Sequence, residues 1–147
     1  MTEISNSRDA TEWNVFPHQT QDGRPVIVRS RVAEPDIRKF AEASFMARAR
    51  CVLMPDQVNE AGMPVAIGPL DEWEDKLLAE LERMKAQTYE IAVVTGAGVR
   101  DLFFAAVDGD GLLAAIANVE GTFPFELQLS RIDGPREGLL NSLCPPQ

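Results

Sequence analysis

The side chains able to do chemistry are few and widely spaced. His18 is the only histidine, and no Ser, Cys or acid stands next to it to form the hydrogen-bonded pair that activates a nucleophile. With Cys51 and Cys144 far apart, one histidine and two cysteines offer no zinc-ligand spacing. Val93-Val94-Thr95-Gly96-Ala97-Gly98 has the look of a dinucleotide site. That chemistry needs a third glycine and a helix whose N-terminus faces the pyrophosphate. Val99 to Val107 instead reads as a strand, so the glycines predict a hairpin turn. Asp108-Gly109-Asp110-Gly111 suggests a calcium loop, yet Leu112 and Val119 occupy positions that should supply an oxygen ligand and a bidentate acid. A turn with Asp110 as helix N-cap is expected there.

Charged residues are the richer signal. Between Asp56 and Glu82 there are eight acids and one basic residue, Lys76. The pairs Asp71-Glu72 and Glu74-Asp75 do not suit a carboxylate dyad, because adjacent helical residues diverge by about 100°. A solvated helix surface opposite Leu77 and Leu81 is expected, with Glu72, Asp75 and Glu82 as candidates for docking a basic protein. Eleven of the fourteen basic residues are Arg. Arg29 with Arg31, and Arg48 with Arg50, each share one face of a strand. If those strands are neighbours, four guanidiniums line an open sheet face together with Glu90, Glu126 and Gln128. That face is either a charge-paired solvent surface or a binding surface for an anionic group or acidic partner.

The elements that must position these residues follow from periodicity. Trp13–Thr20 and Pro25–Val32 flank an Asp-Gly turn and predict a hairpin. Residues 33–44 read as a loop with one helical turn anchored by Ile37 and Phe40, and Ala47–Leu53 as a strand. Met54–Gly68 is a longer connection than most compact domains use. From Pro69, Leu70, Trp73, Leu77, Leu78, Leu81 and Met84 mark one stripe of a helix reaching about Gln87. Tyr89–Thr95 and Val99–Val107 form a second hairpin; Leu112, Leu113, Ile116 and Val119 define a shorter helix closed by Gly121; Phe125, Leu127 and Leu129 mark a last strand. The order β-β, then β-α-β-β-α-β, predicts an α+β fold. Its core is a ferredoxin-like antiparallel sheet with two helices on one face, and an N-terminal hairpin precedes it. Residues 1–12 are expected to be flexible, 13–133 to form the domain, and 134–147 to be a Pro-rich tail that frays.

The bulk arithmetic narrows the function classes. A chain of 147 residues with 45% hydrophobic residues can bury a core without staples. Its net charge of -9 repels a phosphate backbone and disfavours nucleic acid as a partner. The Ala47–Leu53 strand also lacks the aromatic that an RNA-recognition fold would use to stack a base. The polar start and the absence of long apolar runs predict a cytoplasmic, membrane-free protein without a disulfide.

An ordered set of local motifs resembles the bacterial domain of unknown function 695 family. They are Trp13 ahead of Asp22-Gly23-Arg24-Pro25; Gly62-Met63-Pro64; Leu70 with Glu74-Asp75-Lys76-Leu77; and Thr95-Gly96-Ala97-Gly98-Val99-Arg100-Asp101-Leu102-Phe103-Phe104. The resemblance spans about Trp13 to Asp133. Ala105-Ala106 and Asp133-Gly134-Pro135-Arg136 depart from it, standing where the family pattern tends to carry aromatics. The family has no assigned activity. Some members look like fusions to a domain similar to the regulator of ribonuclease E activity B, which implies protein binding over catalysis.

Three expectations compete. The first is a non-enzymatic module without cofactor or metal that binds another, basic protein as an inhibitor, immunity-type or regulatory component. The second is a small-molecule or anion-binding domain using the arginine face or the 54–68 connection. The third is an enzyme whose His18 or acids converge in space. An exposed edge at the hairpin is also compatible with a homodimer.

Overall fold

A computed structural model describes residues 13–107, 109–119 and 125–145. The segment 1–12, Asp108 and Gly121 lie outside the described residues. In chain order the elements are β1 (Asn14–Gln19), β2 (Pro25–Ser30), α1 (Pro35–Ala43), β3 (Phe45–Val52), α2 (Gly68–Arg83), β4 (Thr88–Gly96), β5 (Val99–Ala106), α3 (Asp110–Val119), β6 (Glu126–Arg131) and α4 (Glu137–Ser142). One turn of 3-10 helix, Pro55–Gln57, interrupts the connection between β3 and α2. The fold is α+β: one six-stranded antiparallel sheet in the order β1-β2-β4-β5-β3-β6, with four helices among the described residues. The N-terminal hairpin extends the sheet beyond β4, so the order as a whole is longer than a four-stranded ferredoxin-like sheet.

Both sheet faces are covered, which corrects the expectation of helices on one face only. On one side, Leu70, Trp73, Leu77 and Leu81 of α2 and Leu112, Ala115 and Ile116 of α3 pack on Ala47, Ala49, Cys51, Val93, Leu102 and Phe104. On the other, Ile37 and Ala41 of α1 and Leu140 and Leu143 at α4 pack on Val26, Val28, Met46, Ala92, Phe103 and Ala105. Strand side chains alternate between faces, so β3 and β5 feed both clusters; β5 is buried almost throughout, and β3 has no exposed residue.

Two elements replace expected loop and tail. Helix α1 forms where one turn was expected. Pro35 sits in its first turn, where the missing N–H costs nothing, Ile37 and Ala41 fall four apart on the buried face, and Arg38 pairs with Glu42 on the outer one. Helix α4 forms in the Pro-rich end, with Leu140 and Leu143 buried rather than fraying. Arg136 straps this end to α1 by donating to the Ala41 carbonyl at 2.8 Å and to the Ser44 carbonyl. The two cysteines are free, Cys51 in the α2 cluster and Cys144 against the α1/α4 cluster, with the sheet between them. No helix among the described residues is long and apolar enough to cross a membrane.

Candidate functional site

The residues first singled out for catalysis do not converge. His18 is exposed on the outer strand β1, and its side chain makes no hydrogen bond or ion pair among the described residues. No group of three or more His, Cys, Asp or Glu that could hold a metal occurs among them. Ala97 and Gly98, with φ of 55° and 82°, form the two-residue turn joining β4 to β5, so a strand and not a helix follows the glycines. The Cys51 thiol is pushed up to about 12 by burial, although the Arg100 charge opposes this, so it is a protonated core group and no nucleophile.

The four arginines do not form one face. Between β2 and β3 lie β4 and β5, and the register places Arg29 beside Val93, which continues to Leu102 and Ala49 on the α2 side. Arg48 and Arg50 point the other way, in rows with Phe103 and Ser130, and with Asp101 and Gln128. Arg31 lies past the end of β2 with no exposed surface; its Nε and Nη2 donate to the Glu90 carbonyl at 2.9 and 2.7 Å. The Trp13 ring lies under both Arg29 and Arg31, at 5.3 and 5.0 Å from their guanidinium carbons. Arg50 holds Asp101 in a bidentate pair at 2.7 and 2.9 Å, whose hydrogen bond raises the guanidinium further. The Arg48 side chain makes no ion pair or hydrogen bond among the described residues.

Glu90 also leaves the expected open face. A bulge between Glu90 and Ala92 shifts the pairing, so Glu90 opposes Phe104 on the α2 side and Ala92 opposes Phe103 on the other. There it meets Arg29 at 3.3 Å. Glu74 corrects the solvated-surface expectation more sharply. It is fully buried, paired with Arg29 and with Arg100 at 3.0 Å, while Arg100 also reaches Asp71 at 3.0 Å. The helical wheel explains this, because Glu74 precedes Leu81 by seven residues and lies about 20° from it, on the apolar arc. Arg29, Glu74, Glu90 and Arg100 therefore lock α2 to the sheet.

Among the acids, Asp71 and Glu80 are half-buried and Glu74 is buried, which leaves Asp56, Glu60, Glu72, Asp75 and Glu82 exposed. Glu72, Asp75, Ala79 and Glu82 recur at helical spacing along the outer face of α2. Lys76 reaches Glu72 at 3.4 Å, and Arg83 binds Glu80. The structure thus brings Glu72, Asp75 and Glu82 together on one stripe and disperses the arginines.

The connection from 54 to 67 is held at both ends. Met54 N–H donates to Gln57 Oε1 at 2.7 Å, Val65 N–H to the Gln57 carbonyl at 2.9 Å, and Val58 bridges to Pro64. Asn59 Oδ1 accepts from Ala61 and Met63 at 2.9 and 3.0 Å. Gly62, at a φ of 82°, offers its carbonyl to Gly98 N–H at 2.9 Å, tying the connection to the β4–β5 turn. A side chain at Gly62 would meet Ala97 backbone at 3.0 Å, so only glycine allows this approach. This braced segment exposes Met54 (52%), Val65 (62%) and Ile67 (48%). Beside them opens a cavity of about 110 Å³, with Leu53, Leu70 and Phe125 inside and Asp56, Gln57, Val65, Ala66 and Pro69 around it. A wider groove of about 550 Å³ runs past Arg38, Glu42 and Arg136, but those side chains already bind Asn141, one another and the α1 carbonyls.

No family model matches the chain, and neither a curated protein nor a solved structure matches it. The surface formed by the 54–67 connection and the outer stripe of α2 is thus the candidate site on geometry alone. Sequence reasoning found its acids but missed Met54, Val65 and Ile67. The available signal was three large apolar residues inside a Pro- and Gly-rich connection, where loops are ordinarily polar.

Proposed function

We propose that this chain is a non-enzymatic module that binds a basic protein through Glu72, Asp75 and Glu82 and the acidic connection before them, as an inhibitor, immunity-type or regulatory component in the cytoplasm. The observation that carries the reading is the division of the acids. Glu74 and Glu90 are consumed by buried arginines, while Asp56, Glu60, Glu72 and Glu82 keep their charge at the surface with Lys76 as the sole cation along the stretch. Such a one-sign face steers and orients a partner of opposite sign. The test is affinity capture from native cytosol with the wild-type chain and with the triple reversal Glu72→Lys, Asp75→Lys, Glu82→Lys. A stoichiometric partner that is lost in the triple variant and released by salt is expected. A partner retained by the variant, or none at all, overturns the reading.

The likeness to the domain of unknown function 695 family leans the same way. A ferredoxin-like reading of residues 45–131 is supported by the chain order β3-α2-β4-β5-α3-β6 and by the position of β3 between β5 and β6. The anion-binding alternative rests on Arg48, which has no ion pair among the described residues and shares the sheet face of Ser130 and Gln128. Under that reading, phosphate-bearing or carboxylate ligands raise the melting temperature of the wild type and not of Arg48→Ala.

A further inference from the structure

We propose that the partner segment is basic and carries one aliphatic side chain, Leu, Ile or Met, which enters the cavity between the 54–67 connection and the start of α2. This inference rests on the protein-binding reading above and specifies its occupant. Three observations meet at one place. The cavity is floored by Leu53, Leu70 and Phe125, all nearly fully buried, so an apolar group entering it trades water for apolar contact. Its rim carries Asp56 beside exposed Val65 and Ala66, and exposed Glu72 and Asp75 follow on the same helix within two turns of Leu70. The segment that forms the rim is held by its own hydrogen bonds, so docking orders little that is not already ordered.

The size of the cavity sets the anchor. An apolar cavity of about 150 Å³ takes a benzene ring. One of about 110 Å³ suits a branched or unbranched aliphatic side chain and is too small for an indole. The charge nearby sets the flanks, since Asp56 is the charged residue of the lining, Glu60 follows it on the same connection, and exposed Glu72 and Asp75 stand further along α2 on its outer face. A second copy of this chain docking by a two-fold axis would set those acids against their own equivalents, so self-association is disfavoured at this face. An aliphatic anchor in an apolar pocket is also the arrangement that concentrates binding energy in a few residues.

A phage-displayed random-peptide selection against the immobilised full chain tests the proposal, followed by affinity measurement of the selected peptides on variants. Sequences with one Leu, Ile or Met flanked by Lys or Arg are expected. Ala66→Phe, which plugs the mouth from an exposed position, and Val65→Asp should each weaken them about tenfold or more, the loss expected when one aliphatic side chain stays in water. Glu72→Lys with Asp75→Lys should weaken them to a similar degree and reduce their salt dependence, with Asp56 and Glu60 still in place. Melting temperatures near the wild-type value in all variants establish that the fold is retained, and the two independent cavity variants guard against a local failure of either. Basic peptides without an aliphatic preference, unaffected by Ala66→Phe and Val65→Asp, overturn the anchor while leaving the acidic face standing. Acidic or purely apolar peptides, peptides indifferent to every variant, or no enrichment overturn both. A chain that dimerises by sedimentation and becomes monomeric in Ala66→Phe identifies a second copy as the occupant and also overturns the proposal.

Discussion

Replacing Glu74 with Gln removes one negative charge from the interior while keeping the shape of the side chain. Glu74 has no exposed surface and lies between Arg29, which is 23% exposed, and Arg100, which is 5% exposed. Breaking a buried ion pair by deleting one partner costs about 3–5 kcal/mol, because the remaining charge is left uncompensated in a poor solvent. Arg29 keeps Glu90 at 3.3 Å and some solvent, and Arg100 keeps Asp71 at 3.0 Å, so the lower end, about 3 kcal/mol, is appropriate. For a domain of this size that lowers the melting temperature by about 6–12 °C, and it is a large part of a total of about 5–15 kcal/mol. Urea unfolding followed by tryptophan fluorescence reads the loss, with Trp73 in the α2 core as reporter. The loss should persist in about 0.5 M salt, because buried pairs are screened little. Arg29→Met, Glu74→Leu, Glu90→Leu and Arg100→Met combined should recover most of the stability, since an apolar cluster of similar volume needs no paired charge, whereas sparing Glu90 would leave its buried carboxylate without Arg29. A Glu74→Gln loss below about 1 kcal/mol, or one abolished by salt, would refute the buried lock between α2 and the sheet.

Three further outcomes follow from the packing. Gly96 has a φ of 145°, and a Cβ there would stand 2.6 Å from the Pro25 carbonyl and 2.9 Å from Val26 Cα, so Gly96→Ala should cost about 2 kcal/mol or more; unchanged thermal unfolding would contradict the close approach of β2 and β4. The raised Cys51 thiol makes stability fully present below about pH 9 and lost as pH rises toward 12, at about 1.4 kcal/mol per pH unit, since the unfolded chain releases a proton that the folded chain holds. Urea unfolding at about pH 8 and pH 10 should show that slope in the wild type and a shallower one in Cys51→Ala; equal slopes would contradict it. Leu140→Ala should lose about 2–5 kcal/mol because α4 is part of the core, and a chemical-denaturation loss well under 1 kcal/mol would mean that α4 is not docked.

Legibility in the sequence tracked how local each signal was. Helix α2 was readable because Leu70, Trp73, Leu77, Leu78 and Leu81 repeat over about three turns, and every one of them is buried. Both hairpins were readable because Gly23 and Gly98 occupy positive φ at the turns. Helices α1 and α4 were not readable, because a helix of nine or six residues gains its stability from the sheet it covers and carries too few apolar positions to declare a period. Pro35 and the prolines of the C-terminal end reinforced a loop reading, although the first of them sits where a helix tolerates it. Glu74 was misplaced by judging the acids as a group instead of by angle. Glu90 was misplaced because a bulge has no signature in an alternating run.

Local patterns of residues specify the α+β class, the positions of most strands and of α2 and α3, and the concentration of acids between Asp56 and Glu82. All of these depend on period, turn chemistry and composition, which act over a few residues. Which charges are used inside and which remain outside is set by long-range packing. Strand order separates Arg29 from Arg48 and Arg50, the bulge turns Glu90 inward, and the packing of α2 takes Glu74 out of water. The same long-range packing leaves Met54, Val65 and Ile67 exposed beside a cavity, because whether an apolar side chain is covered depends on what folds over it and not on its neighbours in the chain.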